Sequence, residues 1–444
     1  MTDDEIRALV DDPALRSGVP AVELADAFLE RLEGARAMHA MITITGELAL
    51  AQAREVDERR SRGQRLPLDG MPLVIKDNID VAGVPTTVGS RLFADQTPTE
   101  DAEVMLRLRE AGAVILGKAN MHELAFGATS ANEAFGVVVN PAAPDRIPGG
   151  SSGGSGAAVA ADLCIAAIGT DTGGSLRLPA SLCGVSGLRP TYGAVSNRGV
   201  QPVSVSLDTV GPLARAVTDM AAVLEAIGVS GLFPLTGEDR VTGMRVGVVD
   251  SLVERSDPAV ASAVRTVAHM LEDLGASLSY AELPGWEAAV EACGNLIKAE
   301  GLDIYREALA TRPELLEAGT RRRLALAAEL TAEDVDELRR ERSRWASAVA
   351  HAFAGVDILL LPTIPVEAPA ADGADTVATT ATVVPYTHLL SFAHVPALSI
   401  PCGTPHGVAP VGVQLAAARG RDGLVLRAGA VVQAETDWHR RRFA

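Results

Sequence analysis

Lysine is almost missing from this chain. Of 39 basic residues only Lys76, Lys118 and Lys298 are lysines, and the other 36 are arginines. Arginine does not give up its proton in proteins, whereas a buried lysine can, so a step that needs a neutral amine has few places to come from. Basic charge is itself in the minority. With 57 acidic residues the net charge is −18, which disfavours a dedicated phosphate-backbone binder and an anionic membrane surface. No run of 18 apolar residues occurs, so no membrane span is expected. The first residues, Met1-Thr2-Asp3-Asp4-Glu5, are acidic and no apolar run follows them, which predicts no signal peptide and a cytoplasmic protein. The four cysteines, Cys164, Cys183, Cys293 and Cys402, are scattered among small apolar residues and read as buried thiols. They and the eight histidines lack metal-ligand spacing, so neither a metal nor a cofactor is expected.

What is present is an ordinary globular composition, 48% apolar and 22% charged over 444 residues, enough to bury a large core. Residues 3–60 look helical, with Val22, Leu24, Ala25, Phe28, Leu29 and Leu32 at helical spacing. From about residue 66 short apolar strands alternate with helices: a helix over 102–111, a strand over 114–116, a helix start at 156–161 and a buried strand over 163–168. A more charged section, about 252–355, carries a long helical pattern from Thr331 to Phe353. Strands return at 358–362 and 396–401. This alternation predicts an α/β protein, and no linker divides it. The stretch from Ala368 to Ala381 is the best candidate for a mobile loop.

Two glycine-serine turns carry the chemistry: Gly149-Gly150-Ser151-Ser152-Gly153-Gly154-Ser155 and Asp171-Thr172-Gly173-Gly174-Ser175. A flexible linker is one reading of the first, but it lies between a proline-rich turn and an apolar helix rather than between domains. A phosphate cradle is another, yet no Gly-Lys-Ser/Thr follows. Lys76, beside Asp77, would read alone as a solvated lysine; the two serine turns change that. A nucleophilic hydroxyl at Ser175 follows two glycines that let substrate approach, and backbone N–H groups of Thr172, Gly173, Gly174 and Ser175 could receive an oxyanion. A neutral Lys76 could take the hydroxyl proton, with Ser151 relaying between the two.

These turns, with Cys183-Gly184-Val185-Ser186-Gly187-Leu188-Arg189-Pro190, Ser206-Leu207-Asp208-Thr209-Val210-Gly211-Pro212 and Pro410-Val411-Gly412-Val413-Gln414, closely resemble the amidase signature family. The resemblance covers most of the chain and is weak over 225–355. It implies one large α/β domain with a mixed sheet core flanked by helices: 1–62 N-terminal helices, 66–220 catalytic core, 252–355 a variable helical section, 356–444 the rest of the core. It places the family's triad on Lys76, Ser151 and Ser175, with Ser151 following a cis peptide bond and the oxyanion hole on residues 172–175. The implied activity is hydrolysis of a small linear amide or ureide through an acyl-serine. The alternative it implies is a glutamine-hydrolysing A subunit of a tRNA-dependent amidotransferase. Such subunits typically carry glutamine where Leu178 stands, which disfavours the alternative.

Asp171 and Arg177 are expected to pair and brace the nucleophile turn, so no cation is left beside the scissile bond and a neutral or weakly polar amide is expected. Leu178, Phe126 and His394 are candidate substrate contacts, with His394 also readable as a packing residue. The expected partner is a small-molecule amide, not a nucleic acid or membrane; a homodimer is one assembly compatible with the sequence.

Overall fold

The computed structural model describes residues 1–442 apart from 233–234, 236–239, 373–375 and 404–408. Its centre is a mixed sheet. The strands are β1 (Met41–Ile44), β2 (Pro72–Lys76), β3 (Val114–Ala119), β4 (Ala166–Asp171), β5 (Ser186–Arg189) and β6 (Thr209–Ala214). They continue with β7 (Arg245–Val248), β8 (Ser277–Tyr280), β9 (Ile358–Pro362), β10 (Ala397–Pro401) and β11 (Gly412–Ala416). Among the described residues they lie in the order β1-β3-β2-β4-β6-β5-β10-β11-β9-β7-β8. β2 runs parallel to both β3 and β4. From β4 through β9 the neighbours are antiparallel, and β9, β7 and β8 are again parallel.

The central strands are buried along their whole length, which explains why they read as continuous apolar runs rather than alternating ones. Helices supply the covering layers. The helix Ala21–Gly34 buries Leu24, Ala25, Phe28, Leu29 and Leu32, the stripe its sequence spacing predicts. The helix Ala332–Ala352 starts at a capping box made by Thr331 and Asp334, matching the expected 331–353 segment.

Three expectations shift. The N-terminal stretch is not helical throughout, because Met41–Ile44 forms β1, antiparallel to β3. Strand β4 begins at Ala166, with Leu163, Cys164 and Ile165 buried in the connection before it, and the preceding helix begins at Gly153. In the expected loop over 368–381, Thr376–Val383 is helical, while 373–375 lie outside the described residues. Threonine and valine are weak helix formers. Tertiary contacts hold this segment instead: Thr380 Oγ1 accepts from the Ala128 N–H at 3.1 Å and from Arg323 at 3.0 Å.

The parallel pairing of β2 with β4 sets Ile75 beside Ile168. The carboxyl ends of the two strands, Lys76 on one and Thr170-Asp171 on the other, therefore emerge side by side.

Candidate active site

Lys76 ends β2 with no exposed surface. Its Nζ lies 2.7 Å from Ser151 Oγ and 2.7 Å from Thr170 Oγ1. Burial pushes its pKa down from the ordinary lysine value to about 7, against the opposing pull of Asp208 and Asp171. Neither carboxylate forms an ion pair with it. Lys118, next door on β3, is different: its ammonium pairs with Asp77 at 3.2 Å and donates to Thr86 Oγ1 at 2.9 Å. Two buried lysines thus divide, one braced by a carboxylate and one held among hydroxyls.

The Gly150–Ser151 peptide bond is cis. The two serine turns are joined where the Ser152 N–H donates to the Ser175 carbonyl at 3.3 Å. Ser152 Oγ donates to the Thr170 carbonyl at 3.1 Å, which leaves Ser151 as the hydroxyl beside Lys76. Glycines make this approach possible. A Cβ at Gly149 would meet the Pro179 nitrogen at 2.8 Å, and one at Gly156 would meet Pro179 Cβ at 2.7 Å. The first turn therefore packs directly on the helix Arg177–Cys183 that follows the second.

Asp171 organises the second turn. It accepts from the Gly174 N–H at 2.8 Å and the Leu176 N–H at 3.3 Å, and Arg177 grips it through two bonds of 3.0 and 2.9 Å. Arg189 adds a second guanidinium at 3.2 Å. Burial alone would raise the Asp171 carboxyl, but Arg177 and Arg189 hold it well below the usual carboxylate range. Arg177 also reaches the Thr387 carbonyl, Gln414 Oε1 and Ser391 Oγ, so its donors are committed inside the protein, as the expected pairing requires. One expectation changes here. Of the four N–H groups expected to receive an oxyanion, that of Gly174 is taken by Asp171, which leaves those of Thr172, Gly173 and Ser175 as the candidates.

Ser175, Thr172 and Gly173 line a cavity of about 360 Å³. Leu178 and Phe126 line it too, where the sequence reading placed substrate contacts. His394 does not. Its ring stacks on Tyr192 with centroids 4.1 Å apart, its Nε2 lies 2.8 Å from the Ser206 carbonyl, and Arg342 contacts both ring nitrogens. It is the packing residue of the two readings, and burial holds its pKa down at about 3.

Three further residues line the cavity that the sequence reading did not place there: His388, Arg323 and Lys298, the last singled out only as one of the three lysines. The His388 ring lies against Gly173, where a Cβ would meet it at 2.7 Å, and burial lowers its pKa to about 4, so it is a neutral imidazole at ordinary pH. Arg323 donates to the Thr376 carbonyl and Thr380 Oγ1 and lies 3.3 Å from His122 Nε2. Lys298 projects from the helix Trp286–Thr311. The expectation that Arg177 is taken by Asp171 agrees with this geometry, but it considered only the nearest cation, and Arg323 and Lys298 reach the cavity from more than a hundred positions downstream.

Among the described residues no group of three His, Cys, Asp or Glu is placed to hold a metal ion, and no helix is long and apolar enough to cross a membrane. The four cysteines are free and buried.

The family model described as Amidase matches residues 23–426. The A subunit of glutamyl-tRNA(Gln) amidotransferase from Chloroflexus aurantiacus is 39% identical over 471 residues, covering 97% of this chain and 96% of that protein. A solved structure described as an amidase superposes with a TM-score of 0.87 at 33% identity, covering 98% of this chain and 100% of the other. The solved A subunit of glutamyl-tRNA(Gln) amidotransferase from Thermotoga maritima gives 0.78 at 30% identity, covering 92% and 90%.

Proposed function

The chain belongs to the amidase signature family, and within it we propose that this protein hydrolyses small linear amides or ureides on its own through an acyl-enzyme on Ser175. The observation that carries the reading is the buried Lys76 in contact with Ser151 and without an ion-pair partner, joined to a turn whose serine lines an apolar cavity. Ser175 Oγ attacks the carbonyl carbon while its proton passes to Ser151 Oγ, and Ser151 gives its own proton to Lys76 Nζ. The oxygen that gains charge is received by N–H groups of Thr172, Gly173 and Ser175. Collapse breaks the C–N bond as the proton returns along the same path to the leaving amine. Water then attacks the ester by the same relay and frees the acid. Leu178 and Phe126 receive the apolar part of the substrate.

A second reading has its own support. The 39% identity over nearly the whole chain to the A subunit of a glutamyl-tRNA(Gln) amidotransferase favours a glutamine-hydrolysing protein that feeds ammonia to a partner. Leu178 in the cavity wall favours the free amidase, since an apolar side chain offers glutamine no hydrogen bond there.

The purified chain, supplied with simple aliphatic amides, aryl amides, ureides and glutamine, separates the two by ammonia or amine release. Turnover of the simple amides without a partner supports the first reading. Turnover confined to glutamine supports the second.

A further inference from the structure

The cavity wall opposite in sequence to the two serine turns is the helix Trp286–Thr311. Ile297 of this helix reaches the nucleophile turn, its Cδ1 lying 3.1 Å from the Cβ position of Gly173. One turn further on, Gly301 packs against the Phe126 ring, whose Cε2 lies 2.9 Å from its Cβ position. Lys298 stands between them and lines the same cavity. The helix is therefore clamped at both ends of the segment that carries this lysine.

Lys298 is half-buried, and no described residue forms an ion pair or hydrogen bond with its ammonium. Glu291 also lines the cavity, seven residues earlier on the helix, and attracts the ammonium through space without forming an ion pair with it. The contrast with the other cavity cation is direct, because Arg323 spends donors on Thr376, Thr380 and the His122 ring. Lys76 and Lys118 have their partners as well. In a chain with three lysines, the third is the one whose donors face a ligand cavity unspent. Burial disfavours the Lys298 ammonium by more than the through-space attraction of Glu291 favours it, and an anion in direct contact would offset the remaining cost.

We propose that Lys298 is a specificity-determining residue that binds a carboxylate at the far end of the substrate from the scissile amide. The preferred substrate class is then an ω-carbamoyl carboxylate, with the amide at Ser175, the methylene chain along Leu178 and Phe126, and the carboxylate at Lys298. The assignment rests on the proposed amide hydrolysis at this cavity. It departs from the sequence-based expectation of a neutral or weakly polar amide, which considered only a cation adjacent to the nucleophile.

The test compares succinamate, glutaramate and adipamate with butanamide, pentanamide and hexanamide. The wild-type protein should prefer the charged member of at least one matched pair. In Lys298→Met the ratio of charged to neutral kcat/KM should fall by about tenfold or more through KM; Lys298→Arg should restore it, and Lys298→Glu should reverse it. Binding of the same carboxylates to Ser175→Ala, measured by calorimetry, follows the site without needing turnover. Carboxylate binding that depends on Lys298 without hydrolysis by the wild type sustains the inference and overturns the proposed function. Hydrolysis with a charged-to-neutral ratio unmoved by Lys298→Met and Lys298→Glu overturns the inference alone. Absence of any Lys298-dependent difference in both measurements overturns it as well.

Discussion

Lys76 Nζ and Ser151 Oγ lie 2.7 Å apart in a site where neither residue is exposed to solvent. The lysine stands in contact with hydroxyl oxygens, and the buried carboxylates Asp208 and Asp171 act on it only through space. This is an arrangement for giving and receiving a proton rather than for holding a fixed charge.

The pH dependence follows from its sign. Burial brings the Lys76 pKa to about 7, so below that pH the ammonium predominates and cannot accept a proton. The acylation rate should rise through an ionisation near neutrality and level off on the alkaline side. Lys76→Arg should be nearly as inactive as Lys76→Ala, because guanidinium stays protonated. Activity of Lys76→Arg close to wild type would show that the residue serves as a charge.

Ser151→Ala should slow acylation strongly, yet less than loss of Ser175, since water can occupy part of the relay. Ser152→Ala should be much milder, because its hydroxyl is committed to the Thr170 carbonyl. Single-turnover kinetics on the two variants check this, and the opposite ranking would move the relay one residue along.

Arg177→Ala should cost stability before it costs specificity. It leaves Asp171 with Arg189 and frees acceptors on Thr387, Gln414 and Ser391 in a fully buried site. Removing one partner of a buried ion pair typically destabilises by about 3–5 kcal/mol. Arg177→Lys should recover only part, since an ammonium cannot grip the carboxylate through two parallel bonds. Urea denaturation measures both, and a loss under about 1 kcal/mol would contradict the bracing role.

Leu178→Ala should reshape chain-length preference. An apolar wall contributes on the order of 1–3 kcal/mol per methylene-sized change, so kcat/KM for the best-fitting amide should drop by about tenfold while bulkier amides gain. A profile identical to wild type would remove Leu178 from the substrate wall.

The parts of the site legible in the sequence are those encoded locally. Ser151 and Ser175 sit in glycine turns, and Lys76 stands out because lysine is so rare. The same turns point to a family, and with it to the mixed sheet. The cavity wall was legible only at Leu178 and Phe126: His388, Arg323 and Lys298 lie on helices whose patterns look like ordinary amphipathic or apolar segments, and although the rarity of lysine marks Lys298, only tertiary packing brings the three to the cavity that Ser175 lines. For His394 the sequence left two readings open, substrate contact and packing. It lies beside a motif, but the chain folds it under Tyr192. The use of the Gly174 N–H by Asp171 is likewise a matter of hydrogen-bond geometry that composition cannot encode.

The central claim is that Ser175 is the attacking group, activated through Ser151 by a neutral Lys76. Its most direct test is a fluorophosphonate probe followed by mass spectrometry of the digested protein. The adduct should map to Ser175, be lost in Ser175→Ala, and form far more slowly in Lys76→Ala. An adduct on another serine, or labelling undiminished in Ser175→Ala, would contradict the account.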